Sequence, residues 1–243
     1  MLARLDRLIA ERGGLSRKEA REAVCAGRVG VGGIVMRNAS ERVDDTLIIT
    51  VDGLPLETER YLYVMLNKPA GYVSATRDNK LPTVMDLIPE GFSRRGVAPA
   101  GRLDRDAEGF LLLTNDGELA HRVTSPKYEV WKEYHARVEG KPDETAVKRF
   151  VGGVVIDGGI TCLPAFLTIG ETQNSLCDCV ARVCEGRFHQ VKRMFEAIGH
   201  PVVFLKRLSI GGLPLDNGLQ TGQYRLLSPN ELDLLKKATR LKS

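Results

Sequence analysis

Strand patterns at Ala165–Ile169 and Leu176–Val183 follow one another with no helical pattern between them. Strands joined this closely pair antiparallel, because a parallel pair needs a crossover of a dozen or more residues. Further strand patterns cover Leu62–Leu66, Val73–Thr76, Phe110–Thr114, Lys132–Val138 and Val202–Ile210. Helical patterns cover Val84–Ile88, Glu118–Val123, Asp143–Phe150, Arg187–Ile198 and Asn230–Lys237. Their irregular alternation predicts an α+β domain built on a mostly antiparallel mixed sheet.

The segment ahead of these elements has a different character. Leu2, Leu5, Leu8 and Ile9 make the apolar stripe of a helix that Gly13-Gly14 ends. Ser16, with Glu19 three residues on, forms a capping box for a second helix. On it Arg17, Lys18 and Arg21 fall within about 100° of arc, with Ala20, Ala23 and Val24 to one side. Val29-Gly30-Val31, Gly32-Gly33 and Ile34-Val35 read as a hairpin, since paired glycines supply the positive φ of a tight turn. Residues 1–43 hold nine Lys or Arg against five Asp or Glu, so the whole net charge of +4 lies there. Such asymmetry is expected of a polyanion-binding module; a solvated basic surface is the bland alternative. Thr50–Glu57 carries the turn residues of a linker or a last hairpin, which puts the domain boundary near residue 58. Residues 1–58 and 59–243 are therefore expected to be separate domains.

A chain of 243 residues with 43% apolar and 27% charged residues has the composition of a globular protein. No run of eighteen apolar residues occurs, which excludes a spanning helix. Met1-Leu2-Ala3-Arg4 meets charge too early for a signal peptide. Five cysteines without such a signal predict free thiols in the cytoplasm. Cys177 and Cys179 share a strand face with Ala181 and Val183 and are expected in the core. No C-x-x-C pair occurs and the four histidines lack ligand spacing, so no metal is expected.

Three stretches carry the chemistry. Gly101-Arg102-Leu103-Asp104-Arg105-Asp106 is a charged loop that runs, through Gly109, into the apolar strand from Phe110. A carboxylate there is partly desolvated and needs a cation to stay ionised; a loop salt bridge of Asp104 with Arg102 and Arg105 is the alternative use. In Gly186-Arg187-Phe188-His189-Gln190-Val191-Lys192-Arg193-Met194-Phe195, a helix aligns Phe188, Val191, Phe195 and Ile198. Lys192 borders that stripe and Arg193 points away. A lysine so placed either snorkels or finds an anion, and Asp104 is the natural candidate. In Lys132-Glu133-Tyr134-His135-Ala136-Arg137-Val138, alternation places Lys132, Tyr134, Ala136 and Val138 on one face. Tyr134 is then fit for core packing or for stacking on a planar ligand.

These stretches together closely resemble the pseudouridine synthase family, in the branch that modifies ribosomal RNA. Leu66-Asn67-Lys68-Pro69, and Leu205-Lys206-Arg207 with Ile210-Gly211, fit the same pattern. The N-terminal segment resembles the small RNA-binding fold named after a protein of the small ribosomal subunit, through Arg4-Leu5-Asp6, Ser16-Arg17-Lys18-Glu19-Ala20 and Gly27-Arg28-Val29. The resemblance implies that Asp104, in Gly-Arg-Leu-Asp, is the catalytic aspartate. It implies further that Tyr134 contacts the target base, that Lys192 pairs with the aspartate, and that Arg102 fills the gap the base leaves. Arg17, Lys18, Arg21, Arg28, Arg187, His189, Gln190 and Arg193 are implied as RNA-binding residues. Ala107 and Phe110 depart from the family pattern, which usually has Ser or Thr and Leu there. The implied protein is a cofactor-free monomer that isomerises a uridine in ribosomal RNA or an assembling ribosomal subunit, with no membrane partner.

Ile210-Gly211-Gly212 and the overall length favour the small-subunit RNA, and large-subunit relatives share nearly every motif. A non-catalytic RNA-binding or ribosome-assembly protein of the same fold is the competing reading. A glycoside hydrolase with Asp104 and Asp106 as paired carboxylates is set aside, since two residues of one loop poorly flank a sugar.

Overall fold

The computed structural model describes residues 2–56 and 59–241. The boundary expected near residue 58 falls on residues 57 and 58, which lie outside the described residues. The chain divides into two compact units, residues 1–62 with 88–98, and residues 63–87 with 99–243. The return of residues 88–98 to the first unit has no local signature in the sequence, which suggested a single boundary.

The first unit opens with β1 (Leu2–Arg4), α1 (Leu5–Gly13) and α2 (Arg17–Cys25). It continues with β2 (Val29–Val31), β3 (Ile34–Met36), β4 (Arg42–Asp44), β5 (Ile49–Val51) and β6 (Leu54–Pro55), and it takes in α3 (Glu90–Arg94). Leu5, Leu8 and Ile9 of α1 are buried, but Leu2 is not on the helix; it lies exposed in β1, which pairs with β4. Gly14, at φ +65°, ends α1, and the Ser16–Glu19 capping box starts α2. Ala20, Ala23 and Val24 pack onto Leu5, Ile9, Val29 and Ile49 to make the core. Gly32 and Gly33, at φ +56° and +85°, turn β2 into β3. The segment from Thr50 proves to be a last hairpin, β5 against β6, in a sheet of order β3-β2-β5-β6.

The second unit contains β7 (Tyr63–Lys68), then, past β8 (Ala98–Pro99), β9 (Glu108–Thr114), α4 (Gly117–Thr124), β10 (Lys132–Glu139) and α5 (Glu144–Gly152). There follow β11 (Val155–Ile156), β12 (Ile160–Thr161), β13 (Phe166–Gln173), β14 (Leu176–Val183), α6 (Gln190–Ala197), β15 (Val202–Ile210), β16 (Leu213–Pro214), β17 (Tyr224–Leu226) and α7 (Pro229–Ala238). Its main sheet runs β13-β14-β10-β15-β9-β7-β17. β9 and β15 are parallel, while β13–β14, β14–β10, β10–β15, β9–β7 and β7–β17 are antiparallel, which makes the mixed α+β sheet expected.

Two expected elements change. Val73–Thr76 forms no strand, only a bridge from Val73 to Thr83. The helix expected from Arg187 begins at Gln190, because His189 sits at φ +50°, a left-handed conformation that breaks the helical run. Phe188 therefore lies off the apolar stripe and is 66% exposed. Gly109 has a clear reason to be glycine: at φ +98°, a Cβ there would stand 2.3 Å from the Arg207 carbonyl oxygen across the β9–β15 pair.

Candidate active site

The loop from Gly101 to Ala107 is held by hydrogen bonds from below. Lys68, the last residue of β7, is fully buried, and its Nζ donates to the carbonyls of Pro69, Asp104, Arg105 and Ala107 at 3.0, 3.1, 3.3 and 2.8 Å. Burial lowers its pKa to about 8, against the pull of Asp106 and Asp104. Ser74 Oγ donates to the Leu103 carbonyl at 2.8 Å and accepts from the Leu103 amide at 3.0 Å. The backbone bearing Asp104 is thereby fixed before any substrate arrives.

Asp104 itself is 21% exposed, at the rim of a cleft of about 330 Å³. One carboxylate oxygen lies 3.5 Å from His189 Nε2, the other 4.0 Å from Lys192 Nζ. The pairing expected of Lys192 with Asp104 is present at the outer limit of an ion pair, and a shorter one to Asp106 competes with it. The Lys192 ammonium donates to both carboxylate oxygens of Asp106 at 2.6 Å and only borders Asp104. That contact holds the exposed Asp106 carboxyl below its ordinary range. The helix phase is as expected: Lys192 faces the loop, while Arg193 donates to the Phe188 carbonyl at 2.7 Å and pairs with Asp157.

Strand alternation in β10 buries Lys132, Tyr134, Ala136 and Val138 on one face. Tyr134 lines the cleft, opposite Arg207 in the β10–β15 register. Arg207 is almost wholly buried; it donates from Nε to the Phe110 carbonyl at 2.7 Å and from Nη1 to the Tyr134 hydroxyl at 3.3 Å. Lys132 also lines the cleft, and its pKa is lowered to about 8 by burial first and by Arg207 second. Sequence reasoning gave neither Lys132 nor Arg207 a place at the site, although alternation had put Lys132 beside Tyr134.

The other expected contacts divide. Arg102, Arg187 and His189 line the cleft, with Arg102 and Arg187 exposed. Gln190 lines the same cleft but is buried, its side chain donating to Glu185 at 2.7 Å and accepting from the Arg187 amide at 2.9 Å. In the first unit Arg17, Lys18 and Arg21 are exposed on α2. Arg21 is tied to buried Asp6 at 3.1 Å, and Arg28 to Asp52. Asp6 is lowered to about 2, chiefly by Arg4. Only Arg17 of these four joins a cavity of about 420 Å³, lined also by Arg4, Arg7, Arg12, Arg42 and Arg60. That convergence spans α1, α2 and β4 and has no local signature. Among the described residues no group of three or more His, Cys, Asp or Glu is placed to hold a metal, and Cys177 and Cys179 are buried.

Comparison with known proteins places the chain in a family. The RNA pseudouridylate synthase family matches residues 62–197, and the S4 domain matches residues 3–49. An uncharacterized RNA pseudouridine synthase, YtzG, of Bacillus subtilis is 43% identical over 96% of this chain and 98% of its own length. The ribosomal large subunit pseudouridine synthase B of the same organism is 39% identical over 97% and 96%. The ribosomal small subunit pseudouridine synthase A of Escherichia coli is 38% identical over 94% and 98%. A crystal structure of a pseudouridylate synthase superposes with a TM-score of 0.66 at 35% identity, covering 96% of this chain and 99% of that one. The chain belongs to the RNA pseudouridylate synthase family and is an RNA pseudouridine synthase that carries an S4 domain.

Proposed function

We propose that the protein isomerises one uridine of ribosomal RNA, in the small subunit by preference, with Asp104 as the reacting carboxylate. The observation that carries this reading is Asp104 itself, partly desolvated on a pinned loop at the rim of a cleft lined by Tyr134. The target uridine leaves the helical stack, at a cost of a few kcal/mol, and enters the cleft with Tyr134 against its ring. Asp104 then attacks C1′ of the ribose, or removes a proton from the sugar. The N1–C1′ bond breaks and its electron pair stays with the uracil. The ring turns and C5 bonds to C1′, which expels the Asp104 carboxylate, or takes the sugar proton back where Asp104 acted as base; C5 then loses its proton and N1 gains one, so the product is an isomer of the substrate.

Lys192, shared between Asp106 and Asp104, offsets the negative charge of the loop. Arg102 enters the space the base vacates. Residues 1–58 serve as the RNA-binding domain and 59–243 as the catalytic one, acting as a monomer in the cytoplasm. The small-subunit preference rests on Ile210-Gly211-Gly212, the chain length and the small-subunit relative. The large-subunit relative, of nearly equal identity, supports the second reading. Pseudouridine mapping of both ribosomal RNAs in a deletion strain separates them. One site vanishes and returns with the wild-type gene but not with Asp104→Asn; an unchanged map overturns the proposal.

A further inference from the structure

Two buried cations at the cleft carry unused hydrogen-bond donors. Lys132 is 6% exposed and Arg207 4% exposed; Lys132 Nζ and Arg207 Nη2 are shut off from solvent and, among the described residues, have no hydrogen-bond partner. Both side chains line the cleft that holds Tyr134 and Asp104. A buried ammonium without a partner is costly, and Cys184 offsets that only weakly here. Lys68 shows the contrast within the same unit, since its equally buried ammonium meets four carbonyl oxygens. A ligand that brings negative charge to this wall of the cleft would remove the cost.

We propose that Lys132 is a catalytic residue that, with Arg207 Nη2, binds the carbonyl oxygens of the detached uracil anion. This rests on the pseudouridine synthase reading with Asp104 as the reacting group. When N1–C1′ breaks, the pair left on the ring is shared among N1, O2 and O4, so the carbonyl oxygens gain charge at that moment. Donors fixed in the wall of the cleft interact more strongly with the anion than with the neutral ring, which lowers the barrier rather than merely tightening binding. The anion also has to turn before C5 meets C1′. Two donors on neighbouring strands can pass between O2 and O4 as it does, keeping the ring from escaping. A phosphate is the poorer fit, since the pair stands beside the aromatic ring of Tyr134 in the wall of the same cleft.

The test uses full-length protein and a ribosomal RNA transcript labelled with tritium at C5 of uridine, because the label is released when C5 loses its proton. Wild type must release it; if it does not, the underlying reading falls. Under saturating enzyme and single turnover, Lys132→Met is expected to lose at least about 100-fold in rate. Its RNA affinity stays within about twofold and its melting temperature equals or exceeds that of wild type, since an unpaired buried charge has been removed. Lys132→Gln, a neutral donor, falls between the two. Tritium release by wild type with an unchanged rate in Lys132→Met overturns this inference alone. A parallel loss of RNA affinity, a lower melting temperature in Lys132→Met, or a Gln variant no faster than Met also overturns it.

Discussion

At the residue scale, Asp104 and Lys192 show how an approach only as close as 4.0 Å can matter when a shorter one competes for the same cation. Asp104→Asn removes the carboxylate with little change of volume. It is expected to abolish turnover while leaving RNA affinity nearly intact, as a filter-binding assay beside a tritium-release assay would show. Lys192→Met keeps the aliphatic stem but leaves both Asp106 and Asp104 without the ammonium. A unit charge at 4 Å is worth at most about 4 kcal/mol near a protein surface, so a rate loss of roughly tenfold to a few hundredfold is expected. Arg193→Met is expected to spare the rate at saturating enzyme, because Arg193 is spent on Phe188 and Asp157. Equal losses of saturated rate in the two variants would show that Lys192 has no special claim on the loop.

Among the elements, the parallel pairing of β9 with β15 sets the distance between the Asp104 loop and Arg207. Gly109→Ala brings both a disfavoured φ and a clash with the Arg207 carbonyl, and is expected to destabilise by at least about 2 kcal/mol in urea unfolding. β10 supplies a pH signature. Lys132 has a folded pKa of about 8 against an ordinary 10.5, lowered by burial and Arg207 and only weakly opposed by Cys184. Between these values the unfolded chain binds more protons than the folded one, so stability rises with pH through that window. From about pH 7.5 to about pH 9.5, wild type should gain about 2 kcal/mol relative to Lys132→Met, which lacks the titrating group. A constant difference across that range would mean the ammonium is hydrated in the native state.

For the whole molecule, the charge excess of residues 1–43 becomes a physical feature only where arginines from separate elements converge. Arg7, Arg17 and Arg42 line the cavity from α1, α2 and β4. Changing the three to Gln is expected to weaken RNA binding at low salt. For every phosphate no longer neutralised, the log–log salt slope should flatten by roughly 0.7–0.9. Titrations from low to moderate salt would measure it, and an unchanged slope would assign the RNA contacts to the cleft-bearing unit.

What could be read from the chain alone was what neighbouring residues decide among themselves. The Ser16–Glu19 capping box, the Gly32-Gly33 turn and the burial of Lys132, Tyr134, Ala136 and Val138 on one face of β10 all follow from local geometry. The long motifs around Asp104 and Lys192 identified the family for a related reason, since each is a continuous stretch. Folding alone decided that Lys192 grips Asp106, that Gln190 turns inward to Glu185, and that residues 88–98 join the first unit. It also left Lys132 Nζ and Arg207 Nη2, beside Tyr134, without a hydrogen-bond partner among the described residues. In each case the outcome depends on which distant groups come within about 3 Å, and hydrogen-bond strength falls steeply beyond that distance. A spacing along the chain sets which face a side chain takes, but only packing sets what it meets there.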